Sequence, residues 1–220
     1  MNAKNLIIAG CLLVSLDARA QEVNLSSLDA EPNRVHVTTG AEYGFVAGAG
    51  YSRVLPFLDR KLVVTGEVML PWAALDVSDY RLRLGALVPI VGPGRWKLAG
   101  SIAWVLRGTE STINTMTDVG VDAALLGGFY DSRWFVAGEV GADVALTTKI
   151  THNDAYRETS HPDAMDGWYA GPGANLRAGV QAGVAFARYD VTMRVGQVRD
   201  VAGEAPLLPF YGSLALGARW

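Results

Sequence analysis

Cysteine, long apolar runs and basic runs are all scarce in this sequence of 220 residues. Cys11 is the only cysteine, so a disulfide within the chain and a thiolate metal site are excluded. No apolar run approaches the roughly 18 to 20 residues of a membrane helix, which excludes a helical membrane protein. Lys and Arg number 19 against 22 acidic residues, without a basic patch or run, so nucleic-acid binding has no support.

The N-terminus is typical of a secretory signal. A short positive start and an apolar segment precede an Ala-x-Ala cleavage site that ends at Ala20. Cys11 follows a sequence that imitates a lipoprotein cleavage box, but the apolar segment before it is only about five residues, shorter than a signal needs. We therefore expect a signal peptide over 1–20, an N-terminal leader over 21–33 and a mature chain without cysteine.

From residue 34 onward, apolar and polar residues alternate with a period of two, which indicates β-strands with one apolar face. Half of the residues are hydrophobic, and apolarity spread in alternation is what a membrane barrel requires. The first segment, 35–52, is too long for one crossing of about 9–11 residues and could contain a turn near Glu42–Gly44. Splitting it gives ten strands and merging weak segments gives eight; we favour ten.

The final stretch, PFYGSLALGARW over 209–220, alternates in the same way and ends on an aromatic residue. It resembles the closing strand of Gram-negative outer-membrane β-barrels, although a terminal Trp is less usual there than a terminal Phe. The resemblance implies an all-β fold over 34–220: a closed antiparallel up-and-down transmembrane β-barrel of 8–10 strands. It also implies an outer-membrane location, contact with membrane lipid and lipopolysaccharide, and recognition by the barrel-assembly machinery through the terminal aromatic residue.

The connections between segments alternate in length, as in transmembrane barrels with short periplasmic turns and longer outer loops. We expect polar outer loops over 108–117, 149–173 and 201–208, which places Trp220 at the periplasmic side. Aromatic residues gather at segment ends, where they could lie at the membrane–water boundaries. The aromatic residues predicted at these boundaries are Trp96, Phe129, Tyr130, Trp134, Trp168, Tyr169, Phe210 and Trp220.

The polar face carries acids and bases in near balance, and it would line the lumen. The predicted lumen charges are Glu42, Glu67, Arg81, Arg83, Lys97, Arg107, Asp118, Asp122, Glu139, Asp143, Arg177, Asp190, Arg194 and Arg219. One interpretation is structural, because unpaired buried charge is costly and paired charges can fill a small barrel. The other is a narrow polar pore, since charged rings select ions. Acids on two neighbouring segments face bases on the preceding pair, which predicts a salt-bridge network or a transverse field.

Clustered titratable residues occur in the 149–173 loop: His152, Asp154, Tyr156, Glu158, Ser160, His161, Asp163 and Asp166. Ser160, His161 and Asp163 are adjacent in sequence, whereas a nucleophile, its base and the orienting group usually converge from separate elements. A nucleophile-elbow pattern is also missing. We therefore assign no catalytic residue, metal or cofactor, and expect a solvated loop.

The first hypothesis is a non-enzymatic outer-membrane barrel with a structural, surface-interaction or narrow-pore role. One alternative is an outer-leaflet lipid- or peptide-modifying barrel enzyme that uses the 149–173 loop. Another is an exported soluble lipocalin-like barrel, with its apolar face turned inward around an apolar ligand. The polar face is rich in Gly, Ala and Ser, which suits a crowded lumen better than a solvated exterior.

Overall fold

The structure is a computed structural model that describes residues 23–26, 31–42, 44–57, 60–72, 77–92, 94–159, 161–171, 173–201 and 209–220. The signal peptide predicted over 1–20 lies outside these residues, as does Ser160. Among the described residues, no helix is both long and apolar enough to cross a membrane.

The described residues form eleven strands and one short helix. The strands are β1 (Asn33–Ala41), β2 (Phe45–Phe57), β3 (Arg60–Pro71), β4 (Tyr80–Val91), β5 (Trp96–Glu110), β6 (Asn114–Tyr130), β7 (Trp134–His152), β8 (Gly167–Ala170), β9 (Ala174–Phe186), β10 (Tyr189–Asp200) and β11 (Phe210–Arg219). The helix α1 (Asp154–Thr159) lies between β7 and β8.

Ten of the strands, all except β8, form a closed antiparallel barrel. The barrel closes where β1 pairs with β11, with Val35 opposite Ala218. A turn separates β1 from β2, and there the Glu42 N–H donates to the Gly44 carbonyl at 2.9 Å. The predicted up-and-down barrel is therefore confirmed, with the favoured count of ten strands. Strand β8 pairs with the last part of β7, outside the ring.

The two ends of the barrel differ in their connections. The terminal end contains Asn33 and Trp220, whose backbone N–H groups donate to each other's carbonyls at 3.1 Å. The connections there are short, at 58–59, 92–95, 131–133 and 187–188. The opposite end, here called the loop end, carries the longer connections 72–79, 153–173 and 201–209.

Two predicted loop-end boundaries are wrong. The expected polar loop over 108–117 is mostly strand, since β5 and β6 pair up to Glu110 opposite Thr115 and leave a turn over 111–113. Likewise, β7 continues to His152, so the connection expected over 149–173 starts later. The outward side chains of both extensions are polar, and each inward face carries only an isolated apolar residue, Met116 or Ile150. The apolar alternation that identifies a strand in sequence therefore stops there.

The barrel wall turns apolar side chains outward and charged side chains inward. On β7, Val136 and Val140 are 45% and 55% exposed, whereas Glu139, next to Val140, is 3% exposed. The alternation of side chains along a strand produces this split. It is the reverse of the arrangement expected for the soluble lipocalin-like alternative.

An apolar cluster fills the lumen at the terminal end. Its members are Val23, Leu25, Val63, Leu87, Ala99, Ala124, Leu126, Tyr130, Phe135 and Ala137. Asn24 and Ser26 hold the leader in place by donating side-chain hydrogen bonds to the Asp131 carbonyl (2.9 Å) and the Tyr130 carbonyl (3.1 Å). This end of the lumen is therefore closed by leader residues packed against inward-facing apolar side chains.

Tyr130 requires a correction, because it was expected on the outer surface at a membrane boundary. Its side chain lies inside the barrel at 2% exposure and stacks on Phe135 with ring centroids 5.3 Å apart. Phe129 precedes it on the same strand, and neighbouring residues of a strand point to opposite faces. Only one of the two rings can therefore face outward.

Candidate functional site in the barrel lumen

The acids of the lumen form a wall on two neighbouring strands. Asp118 and Asp122 come from β6, and Glu139 and Asp143 come from β7; all four are buried. Asp122 lies opposite Asp143 in the strand register. Four carboxylates so close together need cations, because unpaired buried charge is strongly unfavourable.

Arginines reach this acidic wall from both sides of the ring. Arg81 and Arg83 come from β4 and Arg107 from β5, while Arg177 and Arg194 come from β9 and β10. Each of the five is buried and forms an ion pair with an acid of the wall. The opposed charges therefore form a salt-bridge network across the lumen.

The loop-end cluster comprises Glu42, Arg81, Arg107, Asp118 and Asp143. The Arg81 guanidinium lies 3.0 Å from the Glu42 carboxylate and 3.9 Å from Asp143. Arg107 bridges Asp118 and Asp143 with separate nitrogens. Two arginines therefore meet three carboxylates here, and the Thr148 hydroxyl donates a further hydrogen bond to Asp118 at 3.3 Å.

The middle cluster comprises Arg83, Asp122, Glu139, Arg177 and Arg194, with Tyr211 beside it. Asp122 accepts hydrogen bonds from Arg83 and Arg177. Glu139 accepts from Arg194 Nε at 2.8 Å and from the Tyr211 hydroxyl. The Arg194 guanidinium also lies 4.6 Å from the Tyr211 ring centroid, a cation–π geometry. Three arginines meet two carboxylates, which offsets the opposite imbalance of the loop-end cluster.

The seam cluster lies where the barrel closes, at the terminal end. Arg34 binds Asp190 through Nε at 3.0 Å and Nη2 at 2.6 Å, and Arg219 lies 3.4 Å from Asp190 and 3.5 Å from Glu31. A Cβ at Gly217 would lie 2.5 Å from Asp190 Oδ1 and 2.6 Å from Arg34 Nε. Glycine is therefore needed there to leave room for the ion pair.

The structure places the predicted lumen charges on the inward face, and it adds partners that the sequence did not indicate. Glu67 lies 3.3 Å from His36. Lys97 lies apart from the clusters, in the wall of a cleft at the terminal end. Arg34 and Tyr211 are additional lumen residues. Arg34 lies two positions before His36 on β1, so alternation along the strand places both side chains on the same face.

Aromatic side chains surround the outer surface at the terminal end. Phe129 lies between Trp96 and Trp134, with centroid distances of 5.7 and 5.1 Å. The Tyr51 and Trp220 rings lie 6.3 Å apart farther around the barrel. At the loop end, the exposed aromatic side chains on or next to the ring strands are Phe45, Trp72 and Phe210, whereas Trp168 and Tyr169 are exposed on β8, outside the ring. The outer wall thus has an aromatic girdle near each end.

The loop-end connection holds several of the titratable residues noted in the sequence. Tyr156 stacks between His152 and His161, with centroid distances of 5.5 and 4.8 Å. Hydrogen bonds from the Arg157 side chain and the His152 backbone hold the pKa of Asp166 well below its usual range. Among the residues that the structure describes, no group of three or more His, Cys, Asp or Glu could hold a metal ion.

Comparison of the sequence with protein-family models and with curated proteins finds no match. The barrel wall and the ion pairs inside it are therefore the features that carry a functional interpretation. Chemically, guanidinium and carboxylate groups of different strands neutralise one another as ion pairs in the lumen.

Proposed function

We propose that this protein is an integral outer-membrane β-barrel whose lumen is closed by ion pairs and whose loop end is presented to the cell exterior for surface interaction. The outward-facing apolar wall carries the proposal. Soluble proteins rarely expose contiguous apolar patches beyond a few hundred Å². Here exposed apolar side chains lie on every strand of the barrel ring, and lipid is the solvent that such a surface requires.

The height of the wall supports the same proposal. Strand β11 has 10 residues, which span about 34 Å along the strand. At the usual strand tilt of roughly 35–45°, this corresponds to about 24–28 Å along the barrel axis, close to the roughly 25 Å apolar band of outer-membrane barrels. Phe210 and Trp220 lie at the two ends of this strand, where interface aromatics belong.

The contents of the lumen favour a closed barrel over a diffusion pore. The arginines and acids of the loop-end and middle clusters are all buried, so little water reaches them. Small barrels have interiors that side chains can fill.

The three strands β5, β6 and β7 are the longest, with 15, 17 and 19 residues, and they lead to α1 and β8 at the loop end. They form a platform on which Met165 and Trp168 are exposed.

Membrane insertion is tested by Val140→Arg, with Met165→Arg as the matched control. Both side chains are exposed, but Val140 lies in the middle of the wall and Met165 in the loop-end connection. Arginine at a bilayer midplane costs about 2–4 kcal/mol in such barrels. We expect the heat-modifiable band to disappear from purified outer membranes for Val140→Arg and to remain for Met165→Arg. Normal fractionation of Val140→Arg would contradict the proposal.

The closed lumen is tested separately by conductance in planar bilayers. We expect the inserted wild-type barrel to show no steady single-channel current. A reproducible ohmic current from heat-modifiable protein would instead favour the narrow-pore role.

A further inference from the structure

A cleft of about 340 Å³ opens at the terminal end of the barrel, between the leader and strands β2–β5. Leu25, Val54 and Val63 form its inner wall, which continues into the apolar cluster of the lumen. Ile90 and Val91 also line it and are 42% and 62% exposed, so the cleft opens toward the outer wall as well. Its volume is at the lower limit of small-molecule pockets, about 300 Å³.

The mouth of this cleft is cationic. Arg60, Lys61 and Lys97 line it, and none of the described lining residues is acidic. Arg60 donates hydrogen bonds to the carbonyls of Pro89, at 3.1 Å, and Ile90. These bonds fix the guanidinium at the mouth and leave its positive charge in place.

We propose that the cleft binds a free fatty acid, with the carboxylate at Lys61 and Lys97 and the acyl chain along Leu25, Val54 and Val63. An apolar wall beside a cationic mouth complements a single acyl chain that ends in an anionic group. The opening beside Ile90 and Val91 gives such a chain access from the outer wall. This site depends on the cleft alone and does not require the membrane location proposed above.

Labelling with a photoactivatable fatty acid tests the site in protein reconstituted into phosphatidylcholine nanodiscs. We expect saturable labelling of peptides that contain Leu25, Val54 or Val91, mapped by mass spectrometry. The double variant Lys61→Gln/Lys97→Gln should reduce that labelling by at least about tenfold, because charge-assisted hydrogen bonds to the head group are lost. The control Lys149→Gln, exposed on β7 near the loop end, should leave it unchanged.

Competitors define the head group. Unlabelled oleate should displace the probe, and the neutral monoacylglycerol should not. Equal displacement by monoacylglycerol, displacement by lysophosphatidic acid but not by oleate, or non-saturable labelling spread over the outer wall would each overturn the inference. A protein that does not enter nanodiscs would contradict the membrane proposal instead. The same labelling is then measured in micelles of a neutral detergent, where its absence would overturn the inference.

Discussion

Arg34 and Asp190 form a two-point ion pair that spans the strand closing the barrel. Arg34 belongs to β1 and Asp190 to β10, and β11 runs between them. Arg34 also lies opposite Arg219 in the register of β1 and β11. Two arginines are therefore neighbours at the seam, and the carboxylate that binds both comes from the next strand. The seam between β1 and β11 is thus neutralised by Asp190, a carboxylate of the neighbouring strand β10.

Asp190→Asn should destabilise the barrel by about 3–5 kcal/mol, because it leaves Arg34 and Arg219 buried beside each other with a neutral partner. The midpoint of urea unfolding, followed by the heat-modifiable band, measures the loss. Asp163→Asn is the control, since Asp163 is exposed in the loop-end connection. An unchanged midpoint for Asp190→Asn would show that Glu31 alone satisfies the seam.

The middle cluster predicts strong coupling between Arg83 and Asp122. Asp122→Asn alone should cost about 3–5 kcal/mol, since it deprives two buried guanidinium groups of one carboxylate. The double variant Arg83→Met/Asp122→Asn should cost less than the sum of the single variants by about 0.5–3 kcal/mol. Urea unfolding of the four proteins gives this coupling energy.

The pair Arg83→Met/Asp190→Asn is the control for that cycle, because Asp190 belongs to the seam cluster and binds Arg34 and Arg219. Its effects should add within about 0.5 kcal/mol. Equal coupling in both cycles would contradict a local ion pair and indicate a general response to lost charge.

The period-two pattern predicts which face each residue of the wall occupies. Val140 and Glu139 are neighbours in sequence, and their opposite exposure follows from alternation alone. The strand count depended on one turn, at Glu42–Gly44. The polar Glu42 and the small Gly44 made this turn possible to anticipate. Beyond the apolar band the pattern fails, since Glu110 and Thr115 face each other across β5 and β6 without an apolar outward face that would mark a strand.

The ion-pair partners could not be predicted in the same way. Arg177 binds Asp122 across 55 positions in sequence, and the strands that carry them are separated by β7. Which acid an arginine meets depends on the stagger between strands, and alternation carries no information about stagger. The apolar cluster did leave a signal: where Trp134, Phe135 and Val136 follow one another, both faces of the strand are apolar.

Phe135 and Val136 provide a test of that two-sided apolar end. Phe135 is buried in the apolar cluster and Val136 faces outward. Phe135→Ala should cost about 3–5 kcal/mol, because it opens a cavity beside Tyr130 that the barrel wall cannot collapse to fill. Val136→Ala should have a much smaller effect, since it leaves no internal cavity. Urea midpoints compare the two, and similar losses would mean that the cluster is not a packed core.

Asp166 predicts how the loop-end connection responds to acid. Its pKa is depressed by hydrogen bonds from Arg157 and from the His152 N–H, the latter at 2.8 Å. A depressed carboxyl pKa contributes stability above the unfolded value, about 3.9, and this stability is lost as pH falls through the folded pKa. The hydrogen-exchange protection of the His152 amide should therefore stay constant from about pH 8 to pH 5 and fall only in stronger acid.

Asp166→Asn should lower that protection already at neutral pH, because the charged acceptor is gone, whereas Asp163→Asn should retain the wild-type profile. Protection factors corrected for the intrinsic exchange rate make the comparison independent of pH itself. A loss of wild-type protection already between about pH 7 and pH 6, or an unchanged profile in Asp166→Asn, would contradict the role of Asp166.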